Sequence, residues 1–188
     1  DLIDPPDTPA GAIIVTDRAR RLLGVALYSP ASEIALRLLD RDPSAPLDHA
    51  WWRNRIAHAL ARRTPLLAST NAYRVAHAEA DALPSLIVDR YDRWLVVQLL
   101  SAGLERFRTP LIDALRDLLE PEGILARNDT AVRTREALPR ATEIFFGEVP
   151  RQIEVTEHGV RYLAAPWDGQ KTGAFLDQRE NRVLAGSV

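Results

Sequence analysis

A carboxylate, an amide and two guanidiniums fall within about two helical turns near the end of the sequence, at Asp177, Gln178, Arg179 and Arg182. Such a set can clamp a zwitterionic ligand, because a buried charge is tolerated only when paired. Taken alone, these residues read more simply as a solvated helix face. Just before them stands Gly169-Gln170-Lys171-Thr172-Gly173, which has half the residues of a phosphate loop. The spacing excludes that motif, since Gln170 and Ala165 occupy positions where it needs glycine. What remains is a polar loop hinged at Gly169 and Gly173 and opening a helix, whose free N–H groups suit a carboxylate or phosphate. An ordinary surface loop fits the same residues equally well.

Other chemistry is sparse. His49, His58, His77 and His158 are scattered without acidic partners at ligand spacing, so no metal site is expected. No nucleophile elbow and no glycine-rich dinucleotide loop is present. Arginines cluster locally at Arg18, Arg20 and Arg21, at Arg53, Arg55, Arg62 and Arg63, and at Arg127, Arg133, Arg135 and Arg140. With Trp51, Trp52 and Tyr28 they offer cations and rings for an RNA backbone and its bases, although most such clusters are solvated faces. The whole chain, with 24 basic and 26 acidic residues, has a formal charge of −2 and gives no support for nonspecific polyanion binding. Lys171 is the only lysine.

The elements that must carry these groups belong to a chain of 188 residues, 46% hydrophobic and 27% charged, long enough for a core without staples. No apolar run approaches the roughly 20 residues of a membrane helix. Absent cysteines exclude disulfides and thiolate nucleophiles. Absent methionine, and the start Asp1-Leu2-Ile3, predict a processed chain or an excised piece of something longer. Pro5, Pro6 and Pro9 predict an extended opening loop over residues 1–10. Runs at 12–15, 22–28 and 33–38 predict a small antiparallel β unit. Asp48 is a plausible N-cap for a helix through Arg63.

From Ala72 onward, runs at 73–77, 85–89 and 94–99 read as strands. A helix capped by Thr109, with Pro110 at its first position, then precedes strands at 124–127 and 143–147 and a short helical stretch near 131–138. The middle of the chain is accordingly predicted as a strand-strand-helix-strand-strand domain. Residues 152–156 and 160–163 alternate around His158-Gly159 as a hairpin, and 175–182 read as helix.

The run Gly169-Gln170-Lys171-Thr172-Gly173-Ala174-Phe175-Leu176-Asp177-Gln178-Arg179 closely resembles the segment leading into the catalytic domain of bacterial large-subunit ribosomal RNA cytosine-C5 methyltransferases, a class I S-adenosylmethionine family. Three more stretches agree in order. Gly24 to Pro30 with Ile34 to Arg37 resembles the end of that family's PUA domain. Asn71 to Arg74 with His77, Leu83-Pro84 and Leu86 to Tyr91 resembles the start of its central domain, and Arg127-Asn128-Asp129 through Pro139 its later part. Ala174 replaces the usual aromatic, and Ala137 stands where glycine is common.

The resemblance implies an α+β protein: a remnant of a PUA-like domain over 1–40, a helical linker over 41–70, the central domain over 71–150, and over 151–188 the hairpin and helix that lead into a missing Rossmann-like methyltransferase domain. It implies S-adenosylmethionine as cofactor of a parent protein, bordered by Phe175, Asp177, Gln178 and Arg179, though not tightly bound by this chain alone. It implies ribosomal RNA as partner; Lys171 and Thr172 on the glycine-hinged loop, which can close over the target, and Arg53, Arg62 and Arg133 from the arginine clusters are expected to meet it. A cytoplasmic protein without membrane contact follows, and a homodimer of the parent is compatible with it. Methyl transfer to C5 requires a nucleophile at C6, which a chain without cysteine cannot supply as thiolate, so this chain alone is expected to be inert. The competing expectation is a noncatalytic RNA-binding or ribosome-assembly module.

Overall fold

The computed structural model describes residues 7–187, so most of the proline-rich opening, including Pro5 and Pro6, lies outside the described residues. Strands β1 (Gly11–Thr16), β2 (Leu22–Tyr28) and β3 (Leu36–Asp40) form an antiparallel sheet in that order. The third strand begins later than its β-branched run suggests, because Ser29 donates its N–H to Ala35 O and Ser32 to Ser29 O, closing a turn there. Gly24 is required for close approach: a Cβ would sit 2.1 Å from the carbonyl oxygen of Asp40.

Helix α1 (His49–Ala61) starts where Asp48 predicts, with the Asp48 carboxylate accepting from the Trp51 N–H at 2.9 Å. Its buried face carries Trp52, Ile56 and Ala59. The central sheet has order β4 (Ala72–His77), β5 (Leu86–Tyr91), β6 (Trp94–Leu99), β7 (Gly123–Arg127) and β8 (Thr142–Gly147). Three strands therefore precede the central helix, one more than strand-strand-helix-strand-strand allows. All pairs are antiparallel except β6 with β7, and a parallel pair needs a crossover.

Two helices make that crossover, α2 (Ala102–Glu105), capped by Ser101, and α3 (Arg108–Leu119). Phe107, not Thr109, occupies the N-cap of α3. Pro110 still lies in the first turn, where its missing N–H costs nothing. A short α4 (Ala131–Arg135) follows β7.

One face of the central sheet is covered by α1 and α3, whose Trp52, Ile56, Leu111 and Leu115 pack on Val75, Val88, Leu95 and Val97. Val25, Leu27 and Leu39 of the first sheet join the same cluster, so residues 1–40 share this core instead of holding one of their own among the described residues. The other face is covered by the hairpin β9 (Ile153–Glu157) and β10 (Val160–Ala164) and the loop after it. His158 and Gly159 both have positive φ, as a tight type I′ turn needs. The predicted helix over 175–182 starts as a 3-10 turn, Leu176–Gln178, and becomes α5 (Arg179–Ala185) only afterwards. Among the described residues no helix is long and apolar enough to cross a membrane.

Candidate functional site

Arg74 and Asp89 face each other directly across β4 and β5. The guanidinium meets both carboxylate oxygens at 2.8 Å, and the Asp89 side chain is fully withdrawn from water. Two residues further along β5, on the same face, Tyr91 is also buried. The loop after β10 lies over this pair. Thr172 Oγ1 donates to Asp89 Oδ2 at 2.5 Å, its oxygen is 3.0 Å from the Tyr91 hydroxyl, and the Ala174 N–H donates to that hydroxyl at 3.1 Å. Burial, and then the Asp89 charge, push the Tyr91 phenol well above its ordinary range, so it stays protonated and can donate to Thr172. The hydrogen bonds that Arg74 donates to Asp89, followed by the Asp89 charge, raise the Arg74 pKa against the effect of burial.

Two further ties complete the seat of the loop. Arg127, at the end of β7, donates to Pro166 O at 2.7 Å and to Gly169 O at 3.2 Å, and Trp167 Nε1 donates to Val149 O at 2.9 Å. The predicted hinges serve close packing instead. A Cβ on Gly169 would lie 2.6 Å from Ala165 O, and one on Gly173, at φ 134°, would lie 3.1 Å from Pro166 Cα. Nor does the loop open a helix with free N–H groups: the amides of Gly169 and Gly173 donate to Ala165 O and Gln170 O, and Phe175 to Gln178 separate the loop from α5.

On the outer side of this seat Lys171 Nζ donates to both oxygens of Asp177 at 2.7 Å and sits 4.7 Å from the Phe175 ring centroid. The bond from Lys171 holds the Asp177 carboxyl below its usual range. Phe175 is 40% exposed. Residues read as two separate sets, Lys171 toward RNA and Phe175 with Asp177 toward cofactor, thus form one surface cluster. Gln178 accepts from the Asn181 amide at 2.6 Å, and Arg179 lies 3.4 Å from Glu180. Arg182 grips the buried Glu157 with two bonds of 2.8 Å, tying α5 to the hairpin.

The remaining predicted RNA contacts separate. Arg53 is exposed on α1 with no ion-pair partner among the described residues. Arg62 is exposed and bonds Ala80 O at 2.7 Å and Asp81 at 2.9 Å. Thr172 and Arg133 do not face solvent, being 1% and 2% exposed. Thr172 spends its hydroxyl on Asp89 and Tyr91, and Arg133 spends its guanidinium on Pro139 O, Leu99 O and Glu105. Trp52 and Tyr28 are buried, and Trp51 lies under the Arg55 guanidinium, so these rings are not open platforms. Sequence reasoning missed Asp89 and Tyr91, and counted Arg127 in a cluster offered to RNA, whereas it holds the loop through Pro166 O and Gly169 O. The available signal was Asp89 itself, a carboxylate within the apolar run Leu86-Ile87-Val88, which demands a buried partner. Among the described residues no three His, Asp or Glu side chains are grouped to hold a metal ion.

No protein-family model matches the chain. Curated relatives do: a "Ribosomal RNA large subunit methyltransferase I" from Tolumonas auensis is 38% identical over 176 residues, 92% of this chain and 44% of that protein. The protein of the same name from Pseudoalteromonas atlantica is 36% identical over 165 residues, 87% of this chain and 42% of that protein. A solved protein from Streptococcus mutans, described as a SAM-dependent methyltransferase, matches the fold with a TM-score of 0.78 at 20% identity, over 95% of this chain and 46% of that one. A second, described as a methyltransferase complexed with SAH, gives 0.76 at 21% identity over 91% and 43%. The homologues of this α+β chain are therefore proteins named as large-subunit ribosomal RNA methyltransferases, of which it spans 42% to 44% of the length.

Proposed function

We propose that the chain is the RNA-recognition part, and the lead-in to the active site, of an S-adenosylmethionine-dependent methyltransferase acting on cytosine C5 of large-subunit ribosomal RNA. The observation that carries this reading is the 38% identity to a large-subunit rRNA methyltransferase across 92% of the chain. The small first sheet corresponds in this reading to the end of a PUA-like unit, the five-stranded sheet to the central RNA-recognition domain, and the hairpin with α5 to the threshold of the catalytic domain. Lys171, Arg53 and Arg62 are the cations offered to RNA, which is compatible with their exposure.

The residues bordering the loop also suit the cofactor of such a protein. Asp177 already accepts two bonds from an ammonium group, that of Lys171, which is the chemistry required by the ammonium at the cofactor's methionine end. Arg179 suits the neighbouring carboxylate, and Phe175 offers an apolar ring beside them. When bound, S-adenosylmethionine supplies an electrophilic methyl group. The residues of this chain bind, orient and shield, and the nucleophile toward C6 lies outside a sequence without cysteine. Titrating the chain with large-subunit rRNA fragments over a salt series tests the RNA half of the reading. Affinity that falls with salt, with a slope of about −0.7 to −0.9 per neutralised phosphate, supports it, and salt-independent binding contradicts it.

A further inference from the structure

We propose that Arg74, Asp89 and Tyr91 are positioning residues that work through Thr172 to fix Lys171 where RNA meets it. The proposal rests on the reading of Lys171 as RNA-facing. Each hydroxyl in the chain of bonds has its direction imposed. Both oxygens of the buried Asp89 already accept from the Arg74 guanidinium, and Thr172 donates to one of them. Thr172 therefore accepts from Tyr91, whose own oxygen accepts the Ala174 N–H. The backbone on both sides of Thr172 is fixed in consequence, at Ala174 through Tyr91 and at Lys171 through Thr172 itself.

Lys171 needs that support. Its φ of 55° is left-handed, an uncommon conformation that carries strain for a residue with a Cβ. This backbone turn sets the ammonium against Phe175 and Asp177, both on the exposed side of the loop. Exposed ion pairs contribute too little to impose such a geometry, about 0 to 1 kcal/mol. The buried Asp89, Tyr91 and Thr172, with the half-buried Arg74 beside them and partners satisfied from two strands and the loop, are what impose it.

Lys171 is the single lysine, so its ε-methylene protons are a unique probe in the 188-residue chain. Seated over Phe175, they resonate upfield of an exposed lysine through the ring current. Thr172→Val and Tyr91→Phe should move them to the exposed-lysine position and lower the salt slope of rRNA binding by about one, the loss of one phosphate contact. Thr172→Ser keeps the hydroxyl and should leave both readouts as in the parent sequence. Tyr91→Phe keeps the buried ring and decides the matter if Thr172→Val does not fold. Lys171→Ala tests the underlying reading separately: an unchanged slope there removes Lys171 from the RNA surface. A reduced slope for Lys171→Ala, together with unaltered ε-proton shifts in Thr172→Val or Tyr91→Phe, would overturn the positioning role alone.

Discussion

The guanidinium of Arg37 on β3 lies 2.9 Å from the carboxylate of Glu136, across 99 residues of sequence, with only 12% and 1% of the two side chains exposed. The other oxygen of Glu136 accepts the Ala102 N–H at 3.0 Å, at the start of the crossover, and beside it Gly103 donates to Ser29 Oγ at 3.1 Å. One buried carboxylate thus joins the first sheet, the crossover and the segment after α4. A Cβ on Gly103 would lie 2.9 Å from both Leu27 Cβ and Tyr28 O, so contact there is at backbone distance. These contacts tie the small sheet to the crossover and to the segment after α4.

Removing this junction should be costly. Glu136→Ala removes the acceptor of the Ala102 N–H and the ionic partner of Arg37, which keeps Ile34 O, and loss of one partner of a buried pair costs about 3–5 kcal/mol. Urea denaturation should show the midpoint falling with little change in slope.

The same carboxylate sets an acid limit. Burial raises the Glu136 pKa, but bonds from Ser32, the Ala102 N–H and Ser29, with the Arg37 charge, outweigh it and leave it below its ordinary value. Asp81 is likewise lowered, burial being outweighed by Arg63, the His77 N–H and Arg62. In both cases the unfolded state binds protons first as pH falls. Their stabilisation is therefore complete above the unfolded pKa values of about 4 and is lost as pH drops through the lower folded values. Melting temperature measured downward from pH 6 should fall below about pH 4, and Glu136→Gln should show a shallower fall.

Two arginines of similar sequence context should behave oppositely. Arg133→Ala removes bonds to Pro139 O, Leu99 O and Glu105 from the interior and should lower stability by about 2 kcal/mol or more. Arg53→Ala on exposed α1 should change stability by less than about 0.5 kcal/mol and reduce the rRNA salt slope by about one. Calorimetry and salt-dependent binding on the same two variants check both halves.

Asp177→Ala and Arg179→Ala should weaken S-adenosylmethionine affinity of the parent protein by roughly 1.5–3 kcal/mol each, as expected for a charge-assisted hydrogen bond. The exposed pair of Asp177 with Lys171 contributes about 0 to 1 kcal/mol, so melting temperature should barely move in Asp177→Ala. Unchanged affinity with a lowered melting temperature would instead assign both residues to fixing the helix.

Elements with local signals were legible in the sequence. Asp48 marked the start of α1, the alternation around His158-Gly159 marked the last hairpin, and the apolar run from Leu111 to Leu119 marked the crossover helix. Starts decided by distant partners were not. Phe107 displaced Thr109 as N-cap, and the Ser29 turn delayed β3. The site divided in the same way. Lys171 and Asp177 were named by type and spacing, and Phe175 by the family resemblance, but their convergence depends on Thr172 reaching Asp89 across 83 residues, which no local pattern records. Arg133 and Thr172 were misread because arginine and threonine are usually solvated, whereas here buried carbonyls and carboxylates surround them.

The central claim is best tested by methyl transfer from labelled S-adenosylmethionine to unmodified large-subunit ribosomal RNA, using the parent protein and its Lys171→Ala variant. The account predicts label in the RNA, recovered as C5-methylcytidine after digestion, and reduced transfer by the variant. RNA that is bound by the parent protein yet remains unlabelled would contradict it and point to a noncatalytic RNA-binding or assembly module.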